Sequence, residues 1–326
     1  MALIENHIVK SRIPYNFKLP PGCLQKNLAT IFFEERQKNY KEDNIDILDA
    51  KNPRAKLLAS ELQPKSELMA KSLKACGFQK GDTIQLMTQN NVDFFTPVLA
   101  AWSCGGVASI VNPNTSVQSL INQLKITNIS IIFCLPKIFE IVKEAAENTD
   151  EKIFIVVMDQ FEDRFMDCYS QDNDKFCSMS WSEFLKKGED MTEKANETNF
   201  NGNETVMIFW SSGTTGTPKG IMYSFEMLAR QLIFEETAFS LPLPPNEMGH
   251  FIMTTNFFHA GGFHFAFTNG ISNGNTVIIF SAKDENNVVT AQDLQQACHD
   301  YKVSFFPRFL LKKFTKYKVI SYNFVR

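Results

Sequence analysis

The sequence is short of the features that mark several large protein classes. Its seven cysteines are odd in number, scattered and never form a C-x-x-C pair, which argues against a zinc knuckle and for reduced thiols. The first residues, M-A-L-I-E-N-H, lack the basic and then apolar pattern of a secretory signal peptide. A net charge of −3 gives no electrostatic case for nucleic acid. We therefore expect a cytoplasmic protein that does not bind nucleic acid.

Long apolar runs of the kind that cross a membrane are also missing. Residues 94–124 and 248–282 contain no Asp, Glu, Lys or Arg, but Pro and Gly interrupt both stretches. Pro97 and Asn112-Pro113-Asn114 break the first, and Gly261-Gly262 breaks the second. We expect core strands and helices in both, and no transmembrane segment.

What the sequence does contain is an alternation of short β-rich runs with helical segments. Strands are predicted over 83–88, 107–111, 130–135 and 152–158, with helices between them. A similar series follows residue 205. Such alternation indicates an α/β fold with parallel sheets covered on both faces. We predict a peripheral lead-in over 1–50, a first α/β lobe with a polar connector over 51–204, and a second lobe over 205–326.

The most informative stretch is Thr205–Ser224. An apolar run, Val206–Trp210, precedes S-S-G-T-T-G-T-P-K-G, which is rich in hydroxyls and glycine and holds one lysine. Glycine lets a backbone approach a ligand closely, and successive N–H groups in such a turn form an anion site. The loop is not a P-loop, because Thr217 and Pro218 separate Gly216 from Lys219. The sequence also has no G-x-G-x-x-G motif. We predict a strand followed by a polyphosphate-binding loop of another kind.

This loop resembles the phosphate-binding signature of the adenylate-forming superfamily, which includes acyl-CoA synthetases, 4-coumarate–CoA ligases and luciferases. Two further segments are similar to that family. One is Asn90–Leu124, and the other is N-F-F-H-A-G-G-F over 256–263, which resembles its aromatic-His-x-x-Gly element. The likeness runs from about Asn52 to about Lys313. It implies two parallel-sheet αβα lobes of the family's N-terminal domain, with the second lobe incomplete and the C-terminal domain absent.

The resemblance also implies roles for residues and for small molecules. Lys219 and His259 would be the catalytic residues. The phosphates of ATP would contact Ser211, Ser212, Gly213, Thr214, Thr215, Gly216 and Lys219. A carboxylic acid would lie against His259, Gly261, Gly262 and Phe263, with Mg²⁺ and CoA as further cofactors. No metal ligand is predicted in this chain, because the family's glutamate motif is absent from it.

The residues themselves leave some of these roles open. His259 lies among aromatics, a pattern that is also found around buried core histidines, so that alternative stays open; His264 is expected to be structural. Thirty Phe against seven Tyr favour an apolar ligand wall, and hence a fatty or aryl acid.

Three alternatives to a working ligase follow from the same sequence. The family's later motifs are missing, so we expect weak turnover or none. The chain would then be a truncated isoform or a pseudoenzyme that binds nucleotide, or that pairs with a full-length relative.

Gly270–Gly274 matches the G-x-S-x-G elbow of serine esterases, but a helix-like run precedes it and a strand follows, which reverses the required context. The chain ends Phe-Val-Arg, without the peroxisomal S-K-L of many relatives.

Overall fold

The computed structural model describes residues 3–5, 8–10, 18–38, 40–150, 152–158, 171–192, 199–211, 218–239, 249–280 and 290–303. Its strands are β1 (Leu3–Glu5), β2 (Ile8–Lys10), β3 (Ile45–Asp49), β4 (Lys56–Leu58), β5 (Thr83–Met87), β6 (Val107–Ile110), β7 (Ile129–Cys134), β8 (Ile153–Val157), β9 (Gln171–Asp172), β10 (Phe176–Ser180), β11 (Thr205–Ser211), β12 (Lys219–Ser224), β13 (His250–Met253) and β14 (Thr276–Ile279). Its helices are α1 (Leu28–Gln37), α2 (Ala59–Ala75), α3 (Phe95–Ser103), α4 (Val117–Ile126), α5 (Phe139–Glu147), α6 (Trp181–Glu189), α7 (Phe225–Phe239), α8 (Ala260–His264) and α9 (Ala291–Asp300).

The larger sheet has eight strands in the order β12-β11-β6-β5-β7-β8-β10-β9. The six inner strands run parallel, while β12 and β9 lie antiparallel at the two edges. Successive side chains of β7 enter different cores: Ile131 and Phe133 face one, and Ile132 and Cys134 face the other. Because a strand alternates faces, both sides of this sheet must be covered. Helices α2, α3 and α6 contribute to the first core, and α4 and α5 to the second, which confirms the predicted αβα layers.

A second sheet of four strands has the order β13-β14-β3-β4. Strands β13, β14 and β3 are parallel, and β4 is antiparallel to β3. Its members come from distant parts of the chain, since Ile47 of β3 lies opposite Val277 of β14. The structure therefore confirms two sheets with parallel cores.

Sheet membership does not follow chain order, and this differs from two expectations. Strands β11 and β12 join the first sheet, through pairing of Met207–Phe209 with Ala108–Ile110 of β6, so residue 205 does not begin a second sheet. Two elements of the predicted peripheral lead-in pack into the interior: Leu28 and Phe32 of α1 are buried, and β3 is an inner strand. Polarity around Glu34–Arg36 and Lys41–Asn44 concealed that burial in the sequence.

Two further elements differ from the sequence prediction. The sequence predicts a helix that begins at Pro64 and stops at Gly77. Helix α2 instead begins at Ala59, and the Leu58 N–H donates to the Glu61 carboxylate at 3.0 Å in its first turn. Gly77, with φ of +84°, ends the helix as expected. Within the polar connector, where one short helix is expected, Phe176–Ser180 also forms β10 beside β8.

Phenylalanine rings join the elements that surround the functional residues. Phe95 of α3 lies 4.9 Å from the Phe257 ring, 5.3 Å from Phe263 and 5.1 Å from Phe267, measured between ring centroids. All four side chains are fully buried. Aromatic pairs at these separations stabilise a core beyond their area burial. They fix α8 and the turn after it against α3.

Candidate functional site

Strands β11 and β12 form an antiparallel hairpin around the glycine-rich loop. Ser211, the last residue of β11, lies opposite Lys219, the first of β12, and the Ser211 Oγ donates to the Lys219 carbonyl oxygen at 3.3 Å. Lys219 is exposed at this end of the hairpin. Five of the predicted phosphate-binding residues lie outside the described residues: Ser212, Gly213, Thr214, Thr215 and Gly216.

Two tryptophans hold β11 in place on its way to the loop. The Trp102 Nε1–H of α3 donates to the Val206 carbonyl oxygen at 2.9 Å. The Trp210 Nε1–H donates to Ser109 Oγ of β6, also at 2.9 Å. A buried indole N–H usually finds such a partner, and each bond here crosses to another element. The strand that delivers the loop is therefore fixed by α3 and by β6.

The predicted acyl-binding segment begins helix α8. His259 is the residue before the first turn, and its side chain is exposed, not buried in the core. Its N–H donates to the Asn256 carbonyl oxygen at 3.1 Å, and its own carbonyl accepts from the Phe263 N–H at 2.9 Å. Because its imidazole is exposed, His259 is not a buried core histidine. Its contact with a carboxylate stays a prediction.

The three residues predicted to line the acyl pocket have different surroundings. A Cβ built on Gly261 meets nothing within 4 Å. One built on Gly262 lies 2.2 Å from the Asn256 carbonyl oxygen, so the missing side chain there is needed for backbone packing. The Phe263 ring is fully buried among other rings. Only at Gly261 does the structure show free space, and all three predicted acyl contacts stay predictions.

Ring contacts bring the hairpin and α8 together. Phe209 of β11 lies 5.5 Å from the Phe263 ring and 5.9 Å from the His264 ring, and Tyr223 of β12 lies 5.5 Å from His264. The hairpin and α8 therefore share one packed base of rings. Phe209 pairs with Ile110, the last residue of β6, so this base lies towards the carboxyl end of β6, and open α/β sheets bind ligands at the carboxyl ends of their strands.

His264 has an unusual environment within that base. Burial lowers the pKa of its imidazole from 6.5 to about 4, because the charged form is poorly solvated there. Neither ring nitrogen has a hydrogen-bond partner in the described part of the chain. The imidazole is neutral at pH 7 and packs as an aromatic ring. This agrees with the structural role expected for His264.

The residues present fit a polyphosphate better than they fit a metal ion. Ser211 and Lys219 lie opposite each other at the end of the hairpin, and the exposed Lys219 carries a positive charge that suits an anion. Among the described residues, no group of three or more His, Cys, Asp or Glu side chains is arranged to hold a metal ion.

None of the helices in the described ranges combines the length and the apolar character that a bilayer crossing requires.

The esterase interpretation finds no support in the structure. Ser272 is buried in a short 3₁₀ turn, and strand β14 follows it. A nucleophile elbow needs a strand before the serine and a helix after it. The preceding residues, Phe265–Gly270, form a π-helical turn instead.

Sequence reasoning missed Asn90, which contacts the segment before His259. Its side chain is buried and hydrogen-bonds to the backbone of residues 255 and 257. The only sequence signal was its place inside the segment Asn90–Leu124. A side chain that bridges 165 residues of chain leaves no periodic pattern.

Together, the two sheets, the hairpin around the loop and the aromatic-His-Gly helix at one sheet edge define the fold of the N-terminal domain of adenylate-forming enzymes. A red-emitting luciferase from Phrixothrix hirtus has the same fold, with a TM-score of 0.66 and 19% identity over 88% of this chain and 52% of that one. So does o-succinylbenzoate CoA synthetase from Bacillus subtilis, solved with an acyl-adenylate, with a TM-score of 0.62, 18% identity and coverage of 91% and 66%.

The chain belongs to the AMP-binding enzyme family, whose sequence pattern matches residues 33–308. It is 26% identical to 4-coumarate–CoA ligase 1 of Petroselinum crispum over 248 residues, which cover 76% of this chain and 41% of the relative. It is 28% identical to luciferin 4-monooxygenase of Photuris pensylvanica over 198 residues, covering 59% of this chain and 34% of that enzyme. The chain thus spans well under two thirds of the length of these relatives.

Proposed function

We propose that this chain binds ATP and a fatty or aryl carboxylic acid and joins them as an acyl-adenylate. In that step a carboxylate oxygen attacks the α-phosphorus, an O–P bond forms, the bond to the β-phosphate breaks, and pyrophosphate leaves. CoA is the proposed second substrate, whose thiol would displace AMP and give the thioester. The observation that supports this most directly is the packing of the hairpin rings Phe209 and Tyr223 against α8.

The electrostatics of this step assign a role to Lys219. Carboxylate and triphosphate repel each other, so the site needs fixed positive charge and aimed donors. Opposite unit charges about 4 Å apart gain about 4 kcal/mol at an effective dielectric of about 20. One ammonium offsets part of the repulsion, and Mg²⁺ that arrives with ATP would supply more. In this proposal Lys219 and the loop hold the β- and γ-phosphates while His259 flanks the carboxylate.

The proposed acid class rests on two observations. The base of the site is built from Phe rings, and ligand pockets are mostly apolar walls with few polar groups. The names of similar proteins include 4-coumarate, phenylacetyl and OPC-8:0 CoA ligases. Gly261, with open space at its Cβ, is the proposed contact with the acyl chain.

ATP–pyrophosphate exchange with a panel of acids tests the proposal. We expect exchange with 4-coumarate, phenylacetate or decanoate to exceed exchange with acetate, and to fall in His259→Ala. ATP binding without exchange by any acid would favour the alternative, a nucleotide-binding pseudoenzyme or a partner of a full-length relative. The absence of both binding and exchange would refute the proposal.

A further inference from the structure

The geometry points to Asn90 as the positioning residue that fixes the segment directly before His259. Asn90 follows β5 of the larger sheet by three residues, and its side chain is only 6% exposed. The expected effect of Asn90 on catalysis rests on the proposed function. Its positioning of His259 rests only on the contacts between the residues named below.

Asn90 uses both ends of its amide on one short segment. The Nδ2 group donates to the Thr255 carbonyl oxygen at 3.1 Å, and Oδ1 accepts from the Phe257 N–H at 2.7 Å. The two bonds lie on either side of residue 256, so they fix the orientation of that stretch as well as its position. The Asn90 amide thus satisfies one backbone acceptor and one backbone donor of this segment.

Hydrogen bonding through Asn256 connects this segment to His259. The Asn256 carbonyl accepts from the His259 N–H at 3.1 Å, and the same carbonyl oxygen fills the space beside Gly262. Residue 256 is thus held by Asn90 on one side and by the first turn of α8 on the other. A rotation of this segment would therefore move the His259 backbone, and the imidazole with it.

Ring packing alone does not provide this control. Phe257 lies between Phe94 and Phe95, with centroids 5.1 Å and 4.9 Å away, which holds the segment close to α3. Dispersion contacts are weakly directional, whereas a pair of buried hydrogen bonds defines an orientation. Asn90 therefore fixes the orientation of the segment, whereas the rings hold the segment close to α3.

The neighbouring Asn91 offers a matched control. Its Nδ2 donates to Thr88 Oγ1 at 2.9 Å and to the Gln89 carbonyl at 3.0 Å, and its Oδ1 accepts from the Asp93 N–H at 3.0 Å. All of these partners lie in the same local turn. Asn91→Ala removes an asparagine with three such bonds, against two for Asn90, but it does not release the segment before His259.

The first test follows the imidazole itself and needs no turnover. In protein labelled with ¹³C and ¹⁵N histidine, the ring signal of His259 is assigned by its loss in His259→Gln. We expect Asn90→Ala and the isosteric Asn90→Asp to shift or broaden that signal, and Asn91→Ala to leave it in place. Asn90→Asp keeps an acceptor for the Phe257 N–H and loses the donor to Thr255, so it keeps the proposal testable if the alanine variant fails to fold. An unchanged His259 signal in a folded Asn90 variant would overturn the proposal.

The second test uses a double-mutant cycle on acid-dependent exchange. Displacing a reacting group by about 1 Å lowers rate by about 100-fold, so Asn90→Ala should lower kcat by about 10- to 100-fold and leave KM for ATP nearly unchanged. Because Asn90 acts through His259, the double variant should lose no more activity than His259→Ala alone. Additive losses would show that Asn90 acts elsewhere. If the wild-type chain gives no exchange, the proposed function fails while the histidine spectrum still decides the role of Asn90.

Discussion

At the scale of single residues, the adjacent glycines of the acyl-binding segment differ in what they make possible. Gly262 packs its α-carbon against the Asn256 carbonyl, where an added Cβ would lie 2.2 Å from the oxygen. Gly261 is exposed and has no heavy atom within 4 Å of its Cβ position. One glycine permits close backbone packing, and the other leaves space beside His259.

This difference predicts opposite results for one substitution at two positions. Gly262→Ala should destabilise the fold by about 1–3 kcal/mol, because the contact forces a backbone shift. Gly261→Ala should change the free energy of unfolding by less than about 0.5 kcal/mol, as surface substitutions usually do. Urea denaturation of both variants measures this. Equal effects at the two positions would contradict the packing described here.

His264 predicts a pH dependence of stability. Its folded-state pKa, about 4, lies below the unfolded value of 6.5, so the unfolded chain binds more protons between these values. The stability of the wild type must therefore fall, through this residue, as the pH drops from about 6.5 to about 4.

His264→Phe should remove that contribution. The difference in free energy of unfolding between His264→Phe and wild type should grow in favour of the variant on acidification, by up to about 3 kcal/mol. Chemical denaturation at pH 7, 6, 5 and 4 measures the trend, and His299→Phe, at an exposed imidazole, is the control. A constant difference across this range would show that His264 is not buried as described.

At the scale of elements, strand β11 connects the core to the phosphate loop. It is parallel to β6, antiparallel to β12 and hydrogen-bonded through two indoles. Glycine is conformationally permissive, so a glycine-rich sequence does not by itself fix the position of a ligand-binding group. The accuracy with which the loop meets a ligand therefore depends on how firmly its first strand is held.

Removing one of these indole bonds should loosen the strand. Ser109→Ala leaves the Trp210 Nε1–H without its partner, and we expect a loss of about 1–2 kcal/mol. Amide hydrogen exchange should rise most in Met207–Ser211. Ser103→Ala is the matched control, because the Ser103 hydroxyl bonds only to the Leu99 carbonyl of its own helix. Equal exchange in the two variants would argue against an anchoring role for Trp210.

Most elements were predictable from the sequence, because apolar periodicity and turn residues mark them. The sequence predicts a helix over Ser116–Lys125, and α4 begins after Ser116, whose Oγ accepts from the Ser119 N–H. Helix α2 ends shortly before Gly77, the predicted stop. The pairing of strands was not predictable in the same way. No local feature of the sequence Ile45–Asp49 predicts that it pairs with Val277–Ile279. This pairing depends on contacts between residues more than two hundred positions apart.

At the scale of the whole molecule, the site is assembled by three separate stretches that meet at one sheet edge. The hairpin, helix α8 and the turn after β5 are joined by rings and by the Asn90 amide. The motifs that carry the chemistry could be found from the sequence, because their residue types are specific. Their mutual support could not, because Asn90, Trp102 and Trp210 belong to no short motif.

The binding of nucleotides to the Lys219→Ala variant tests the central claim most directly: that the hairpin holds the triphosphate tail. Calorimetry would give Kd for ATP and AMP in the wild type, in Lys219→Ala and in Lys186→Ala, an exposed lysine on α6 towards the opposite edge of the sheet.

The wild type should bind ATP more tightly than AMP. Losing a charged hydrogen bond of about 1.5–3 kcal/mol should weaken ATP binding by about 10- to 100-fold in Lys219→Ala. AMP binding there, and both affinities in Lys186→Ala, should stay within about threefold of wild type. An unchanged affinity for ATP in Lys219→Ala would contradict the account.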